Sequence, residues 1–382
     1  MKILVDATCI TGKISGVGRY AYCLIQGLAN VDNQNHYTIL LHREINRHHS
    51  IWDIQSANIN LIPTNLTSIG PKRQILFALR YGDLDIDVFH CLNNFSPIIH
   101  KYNSILTLHD IRYIRHKGYL AGKSRLKVFY LRFVIRKGLE KATKVIAVSN
   151  YTKKEIVHFF RLGENKITVI PEAPNPALNL PSKDNDQEKI LEIYSINKPF
   201  FLFLGEKRPH KNIEGTLRAF KTFKEKYDSW DTQIVVTGRY YSDYRDYMRI
   251  ADRPAISKKI VFTDFVPDEH LKALYSQAAA LIFVSFYEGF GLPILEAMQI
   301  GTPVITSNIS SMPEVAGDAA LLVDPYNPEE IAQAMFQIMD SENLRGTLVK
   351  NGYARSQAFS WEKTASQTIE VYKEVVYNRR IN

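Results

Sequence analysis

Two glutamates eight residues apart, Glu288 and Glu296, flank Gly289, Gly291 and Pro293 in a stretch that runs from Ser285 to Gly301. The glycines permit a tight loop with exposed backbone N–H groups. Pro293 suits the first turn of a helix, and Gly301 suits its C-terminal cap. A strand, a Gly-rich loop and a helix N-terminus in succession form an α/β cradle for phosphate. Carboxylates accept hydrogen bonds from hydroxyls. One acid in the loop and one a turn into the helix can therefore reach different parts of a sugar- or ribose-bearing ligand. The alternative is a plain turn with two solvated acids.

A second stretch, Phe201 to Asn212, carries Lys207, Arg208, His210 and Lys211 beside a helix start near Asn212. Arg208 as a fork and Lys211 as a point charge can neutralise a diphosphate. Otherwise the stretch is an exposed basic loop. A third, Thr11 to Ala21, places Gly16 and Gly18 in a G-x-G-x-x-A pattern after the first strand. It fits a nicotinamide enzyme poorly. The loop is long, and the second strand leads into His42-Arg43 rather than an acid. Another phosphate or sugar fits the glycines better, with a tight turn as the alternative. Fourth, His109 follows Leu106-Thr107-Leu108 and stands at the C-terminal edge of a strand, where ligands of doubly wound sheets bind. His90 is a weaker second candidate.

The elements that must position these residues are legible as short, continuous apolar runs. They are Lys2–Val5, Tyr37–Leu41, Val88–His90, Ser104–Leu108, Lys144–Val148 and Thr168–Ile170, then Phe200–Leu204, Gln233–Thr237, Ile260–Phe262, Ala280–Val284, Pro303–Thr306 and Ala320–Val323. Continuity rather than alternation predicts strands buried on both faces of parallel sheets. Helical patterns intervene at Val17–Leu28, Leu126–Leu139, Thr152–Phe160, Ile213–Lys226 and Pro328–Met339, so the expected fold class is α/β with right-handed crossovers. The alternation pauses in a polar, Pro-rich tract. The expected division is a Rossmann-like domain over 1–174, a linker over 175–199 and a second such domain over 200–361. A closing helix follows over 362–382.

Composition narrows the function. The 382 residues are 45% apolar and 23% charged, which excludes disordered, collagen-like and coiled-coil chains. The formal charge of +9 predicts an anionic partner. Eleven Lys and Arg against Glu140 alone lie between Ile111 and Lys144. This segment is either a helix with a solvated basic face or a surface for anionic lipid or a phosphorylated acceptor. No nucleic-acid motif accompanies it, so nucleic acid is not an expected partner. Cys9, Cys23 and Cys91 form no C-x-x-C pair and read as buried thiols. No acid cluster has metal-ligand spacing, so no metal and no cofactor are expected. Asp6 interrupts the first apolar run, which excludes a signal peptide, and Ala278–Val284 is too short to span a bilayer. A cytoplasmic protein with at most peripheral membrane contact is expected.

The residues together resemble the retaining glycosyltransferases of family 4, which have the GT-B architecture of two Rossmann-like domains facing across a cleft. The resemblance covers essentially the whole chain. It rests on Glu288 and Glu296 with Gly-Phe-Gly-Leu-Pro between them, on Gly16-Val-Gly-Arg-Tyr20 and on Leu108-His-Asp110. Val148-Ser-Asn-Tyr-Thr152, Arg208-Pro-His-Lys-Asn212 and Ser311-Met-Pro-Glu-Val315 add to it. The resemblance implies that Glu288 contacts the transferred sugar and Glu296 the ribose. Backbone amides of Phe290, Gly291 and Leu292 would hold sugar or phosphate, Lys211 the diphosphate, and Val266 the base. Gly16 would admit the phosphates, Gly18 would belong to the same donor loop, and His109 would face the donor sugar. The closing helix would return to the first domain. Many members carry an Arg five residues before the lysine; here that position is Glu206, with Arg208 as the substitute and Glu206 expected to point away from the diphosphate, which it would repel.

The implied reaction is metal-independent transfer of a hexose from a nucleoside-diphosphate sugar with retention of configuration. The departing phosphate oxygen would serve as base, and Arg208, Lys211 and a helix N-terminus would stabilise the leaving diphosphate. The R-P-H-K-N pattern is most similar to mannosyltransferases that use GDP-mannose. The implied acceptor is a glycan or polyprenyl-linked glycan of a surface polysaccharide. A UDP-hexose donor, or a non-catalytic carbohydrate- or membrane-binding protein, is the alternative.

Overall fold

The computed structural model describes residues 1–381 except 12–14, 47–48, 116–123, 180–183, 198, 207, 228–229, 239–244 and 252. Lys207, and parts of the basic segment and of the first glycine loop, therefore lie outside the described residues. The chain divides into two compact units, one of Met1–Ala173 with Phe359–Asn382 and one of Pro174–Ala358.

The first unit opens with β1 (Lys2–Asp6), α1 (Gly16–Val31), β2 (His36–His42), β3 (Ile59–Thr64), α2 (Pro71–Tyr81) and β4 (Val88–Cys91). It continues with β5 (Ser104–Leu108), α3 (Arg112–Arg115), α4 (Arg125–Lys141), β6 (Lys144–Ala147), α5 (Asn150–Phe160) and β7 (Ile167–Val169). Its seven strands are parallel, in the order β3-β2-β1-β4-β5-β6-β7.

The second unit contains α6 (Asp184–Ile193), β8 (Phe200–Leu204), α7 (Ile213–Lys226), β9 (Gln233–Thr237), α8 (Arg245–Ala251) and α9 (Pro254–Ser257). Then come β10 (Ile260–Asp264), α10 (Asp268–Gln277), β11 (Ala280–Phe283), α11 (Leu292–Ile300) and β12 (Val304–Ser307). α12 (Met312–Ala316), β13 (Leu321–Val323), α13 (Pro328–Asp340) and α14 (Glu342–Ser356) complete it. Its six strands are parallel, in the order β10-β9-β8-β11-β12-β13.

In each sheet the chain builds outward on one side of a central strand, then crosses to the other. The reversal falls between β1 and β4 in the first unit and between β8 and β11 in the second. At such a point two consecutive strand-to-helix loops diverge at the carboxyl edge and leave a crevice, which is where open α/β sheets bind ligands.

The last helix, α15 (Trp361–Ile381), returns to the first unit and packs on α1. Gly27 makes the contact possible, because a Cβ there would lie 2.6 Å from the Trp361 carbonyl. Tyr372 reaches the centre of the sheet, where its hydroxyl is 2.8 Å from His90 Nδ1 and His90 Nε2 is 2.8 Å from Thr107 Oγ1. At the C-terminal end of β1, one residue beyond the Val5 that registers with His90, buried Arg73 pairs with buried Asp6 and donates to Thr8 Oγ1 at 2.8 Å. The three cysteines are buried and unbridged.

Three elements differ from the sequence expectation. β3 is an edge strand that contains Pro63 and buries only Thr64; only an edge tolerates a proline without losing a ladder bond. The expected linker 175–199 holds α6, which packs on α10 through buried Leu191 and a 2.9 Å contact between the Tyr194 hydroxyl and His270 Nδ1. Its few apolar residues sit within a strongly polar tract. α14 buries only Leu348, Gly352 and Ser356, so it has little apolar stripe to read.

Candidate active site

The crevice of the second unit is built by the loops after β8 and β11. Gly205 leaves β8 with φ +148, and Gly238, leaving β9, lies directly against it: a Cβ on Gly238 would stand 1.8 Å from the Gly205 carbonyl oxygen. Gly205 N–H donates to the Thr237 carbonyl at 3.1 Å. Such backbone contact fixes how the chain leaves β8 and is available only to glycine.

Asn212 ends that loop in the left-handed region, φ 59, and caps α7 by accepting from Gly215 N–H. Its amide donates to the Val284 carbonyl at 3.0 Å and the Pro325 carbonyl at 2.7 Å. One side chain thus ties the β8 loop to the ends of β11 and β13. The sequence marks Asn212 only as a helix start.

Lys211 and Glu288 meet across the crevice, with Nζ 2.7 Å from Oε1 and side chains 16% and 10% exposed. The Lys211 ammonium also lies 5.0 Å from the centroid of Phe283. Burial opposes the charge on Glu288, but Lys211 and His210 outweigh it, and the carboxyl is held below the usual glutamate range. Ser310 and Ser311 brace the Glu288 loop. Ser310 Oγ accepts from Glu288 N–H at 3.1 Å and lies 2.7 Å from its carbonyl, while Ser311 Oγ lies 2.6 Å from the Phe290 carbonyl. Both serines stand at the start of the Ser-Met-Pro-Glu-Val region, so that motif acts as a brace.

α11 starts at Leu292 after Gly291, φ +119, with Pro293 in its first turn and Gly301, φ +87, after its last. Its first N–H groups follow directly on the Glu288 loop. Phe290 and Leu292 are buried. Glu296 is buried too, and its Oε2 accepts from the hydroxyl of buried Tyr275 at 2.9 Å. Tyr275, on α10, carried no signal in the sequence. Val266 is buried at the exit of β10, immediately before α10, at the same carboxyl edge.

Arg208 is engaged within its own loop: Nε donates to Glu206 Oε2 at 2.6 Å. Glu206 and Arg208 thus form a local ion pair.

In the first unit, Gly16 and Gly18 differ. A Cβ on Gly16 meets nothing within 4 Å, whereas on Gly18 it would lie 3.0 Å from Ser15 Oγ and 3.2 Å from the Cys9 carbonyl. Gly16 leaves open space, and Gly18 serves packing at the α1 cap. His109 is buried, with Nε2 3.1 Å from the Leu92 carbonyl and Nδ1 2.9 Å from Glu172 Oε1. Nε2 thus faces an acceptor-only carbonyl and Nδ1 a carboxylate oxygen. Its ring also stands edge-on to Tyr20 at 4.6 Å. Both ring nitrogens are thus committed to protein groups. Among the described residues no cluster of three or more His, Cys, Asp or Glu is placed to hold a metal.

The chain matches two family profiles in succession: Glycosyltransferase Family 4 over residues 14–177 and Glycosyl transferases group 1 over residues 186–355. The chain belongs to the family 4 glycosyltransferases. O-antigen chain mannosyltransferase B of Escherichia coli is 28% identical to this glycosyltransferase, covering 98% of this chain and 100% of the relative. O-antigen chain mannosyltransferase RfbU of Salmonella typhimurium is 31% identical, covering 62% of this chain and 61% of the relative. Among solved structures, sucrose-phosphate synthase of Thermosynechococcus elongatus superposes with TM-score 0.75 at 21% identity, over 99% of both chains. HepE of Anabaena in complex with UDP-glucose gives 0.76 at 16% identity, over 98% of this chain and 100% of that one. These likenesses carry the fold, which is the GT-B fold of this glycosyltransferase.

Proposed function

We propose that this glycosyltransferase moves mannose from GDP-mannose to a glycan or polyprenyl-linked acceptor in the synthesis of an O-antigen-like surface polysaccharide, with retention of configuration and without a metal. The observation that carries this reading is the Lys211–Glu288 pair at the reversal of the second sheet, beside the start of α11. Cleaving an anomeric C–O bond leaves negative charge on a nucleoside diphosphate. Lys211, Arg208 and the α11 N-terminus offer positive charge and N–H donors for it. Glu288 would then pass from Lys211 to sugar hydroxyls, with the departing phosphate oxygen taking the acceptor proton. The mannosyltransferase relatives favour mannose. The UDP-glucose bound by HepE keeps a UDP-hexose as the second reading.

The acceptor side is proposed to work at an anionic membrane. No described helix is long and apolar enough to cross a bilayer. α4, however, exposes Leu126 at 82% and Phe129 at 70% among Arg125, Lys127, Arg132, Arg136 and Lys137. Apolar side chains among cations are what an interfacial helix presents to acidic lipid.

The test is transfer from GDP-mannose, UDP-glucose and UDP-galactose to a lipid-linked glycan, with and without EDTA. Transfer of mannose alone, unaffected by EDTA and lost in Glu288→Gln, is expected. Transfer only from a UDP-sugar refutes the donor, inhibition by EDTA refutes metal independence, and full activity of Glu288→Gln refutes the site. Sedimentation with anionic vesicles should weaken with salt and in Arg132→Glu/Arg136→Glu. Equal binding to neutral vesicles refutes the membrane surface.

A further inference from the structure

The loop after β8 carries two described cations near its tip, and each has its own carboxylate. Lys211 is paired with Glu288, while Arg208 is paired with Glu206 two residues before it. The second pair is held by the backbone as well as by charge. Arg208 N–H donates to the Glu206 carbonyl at 2.7 Å, a tight turn that sets the two side chains next to each other. Gly205 and Gly238 fix the start of that turn by direct backbone contact.

The two pairs differ in exposure. Lys211 and Glu288 are 16% and 10% exposed, whereas Arg208 and Glu206 are 27% and 48% exposed. The inner pair is largely sealed. The outer one is open to solvent, where an ion pair is weak and its members exchange partners readily. A guanidinium fork prefers a doubly charged phosphate, which it can grip with two parallel N–H donors.

We propose that Glu206 is a competing anion for Arg208, contending with the phosphates of the nucleoside diphosphate for the same guanidinium and thereby limiting how tightly the product is held. The inference rests on the nucleotide-sugar reading above. Its chemical logic lies in the charge difference between donor and product. The diphosphate left after transfer carries one more negative charge than the diphosphate ester that entered. Holding Arg208 in its pair with Glu206 therefore withholds more attraction from the product than from the less charged donor. Glu206 is thus a positioning residue whose effect falls on release.

The experiment is titration calorimetry of inorganic pyrophosphate, GDP and UDP on the wild-type protein, Glu206→Gln, Arg208→Gln and the double variant, at low and high salt. Glu206→Gln is expected to bind pyrophosphate and the preferred nucleotide about fivefold more tightly. A merely structural residue would not do this, since damage to the loop weakens binding. Arg208→Gln is expected to bind more weakly, and the gain from Glu206→Gln is expected to vanish in the double variant. Unchanged or weaker binding by Glu206→Gln overturns the inference. So does an equal gain with and without Arg208, which is simple repulsion. If these fail while Arg208→Gln still weakens binding, the nucleotide site stands and only the competition falls. If pyrophosphate and both nucleotides bind to no form of the protein, the nucleotide reading falls and takes the competition with it.

Discussion

Replacing Lys211 with methionine keeps the aliphatic stem and removes the charge that faces Glu288. Nζ stands 2.7 Å from Oε1, with the lysine 16% and the glutamate 10% exposed. Stranding one member of a fully buried pair costs about 3–5 kcal/mol. The residual exposure here lets water reach the remaining carboxylate and brings that to about 2–4 kcal/mol. Losing the cation near Phe283 adds about 0.5 kcal/mol. The second unit should therefore lose about 3 kcal/mol, which for its size is a drop of about 6–12 °C in Tm. The loss depends on pH in a definite sense. Glu288 is held below its ordinary value of 4.5 in the folded protein, so the pair stabilises fully above that value. The stabilisation disappears as pH falls through the depressed folded value. In Lys211→Met burial dominates and the Glu288 pKa rises, so the deficit is largest at neutral pH and shrinks in acid. Calorimetric melts of wild type, Lys211→Met, Glu288→Gln and the double variant between pH 4 and pH 7.5 measure it. A Lys211→Met protein as stable as wild type at neutral pH, or a deficit that grows in acid, refutes the reasoning.

Gly238→Ala forces a Cβ against the Gly205 carbonyl at φ +126, so it should cost more than about 2 kcal/mol and weaken nucleotide binding, read by melts and calorimetry. Gly16→Ala should leave stability unchanged while raising the donor KM, because the space beside it is open to a ligand. Gly18→Ala should instead cost about 1 kcal/mol by disturbing the Ser15 cap. Burial, helped by His109, pushes His90 from 6.5 down to about 3. Between those values the unfolded chain binds a proton that the folded unit excludes. Stability should then fall with acidity by up to about 1.4 kcal/mol per pH unit. His90→Asn should remove that slope in urea titrations across pH 4–7.

Strands and helices with strong apolar content were legible because burial on both faces leaves continuous Val, Ile, Leu and Phe runs. β8, β9 and α7 match their sequence bounds. β3 was hidden by its edge position and Pro63, and α6 by its polar tract. At the site, Glu288, Lys211 and the α11 start were legible from residue type and spacing. Their partnerships were not. Tyr275 with Glu296, Glu172 with His109 and Asn212 with Val284 and Pro325 join residues far apart in the chain. Only the sheet order brings such groups together. Local charge pairing was also invisible: a glutamate two residues from an arginine can face either way, and backbone geometry decides it.

The return of α15 to the first unit orders events during synthesis. Residues 174–358 are contiguous, so the second unit can close as soon as they leave the ribosome. The first unit emerges earlier but finishes later. Until Trp361–Tyr372 are made, the apolar face of α1 around Gly27 has no cover and His90 has no phenol beside it. The unit made first is completed last.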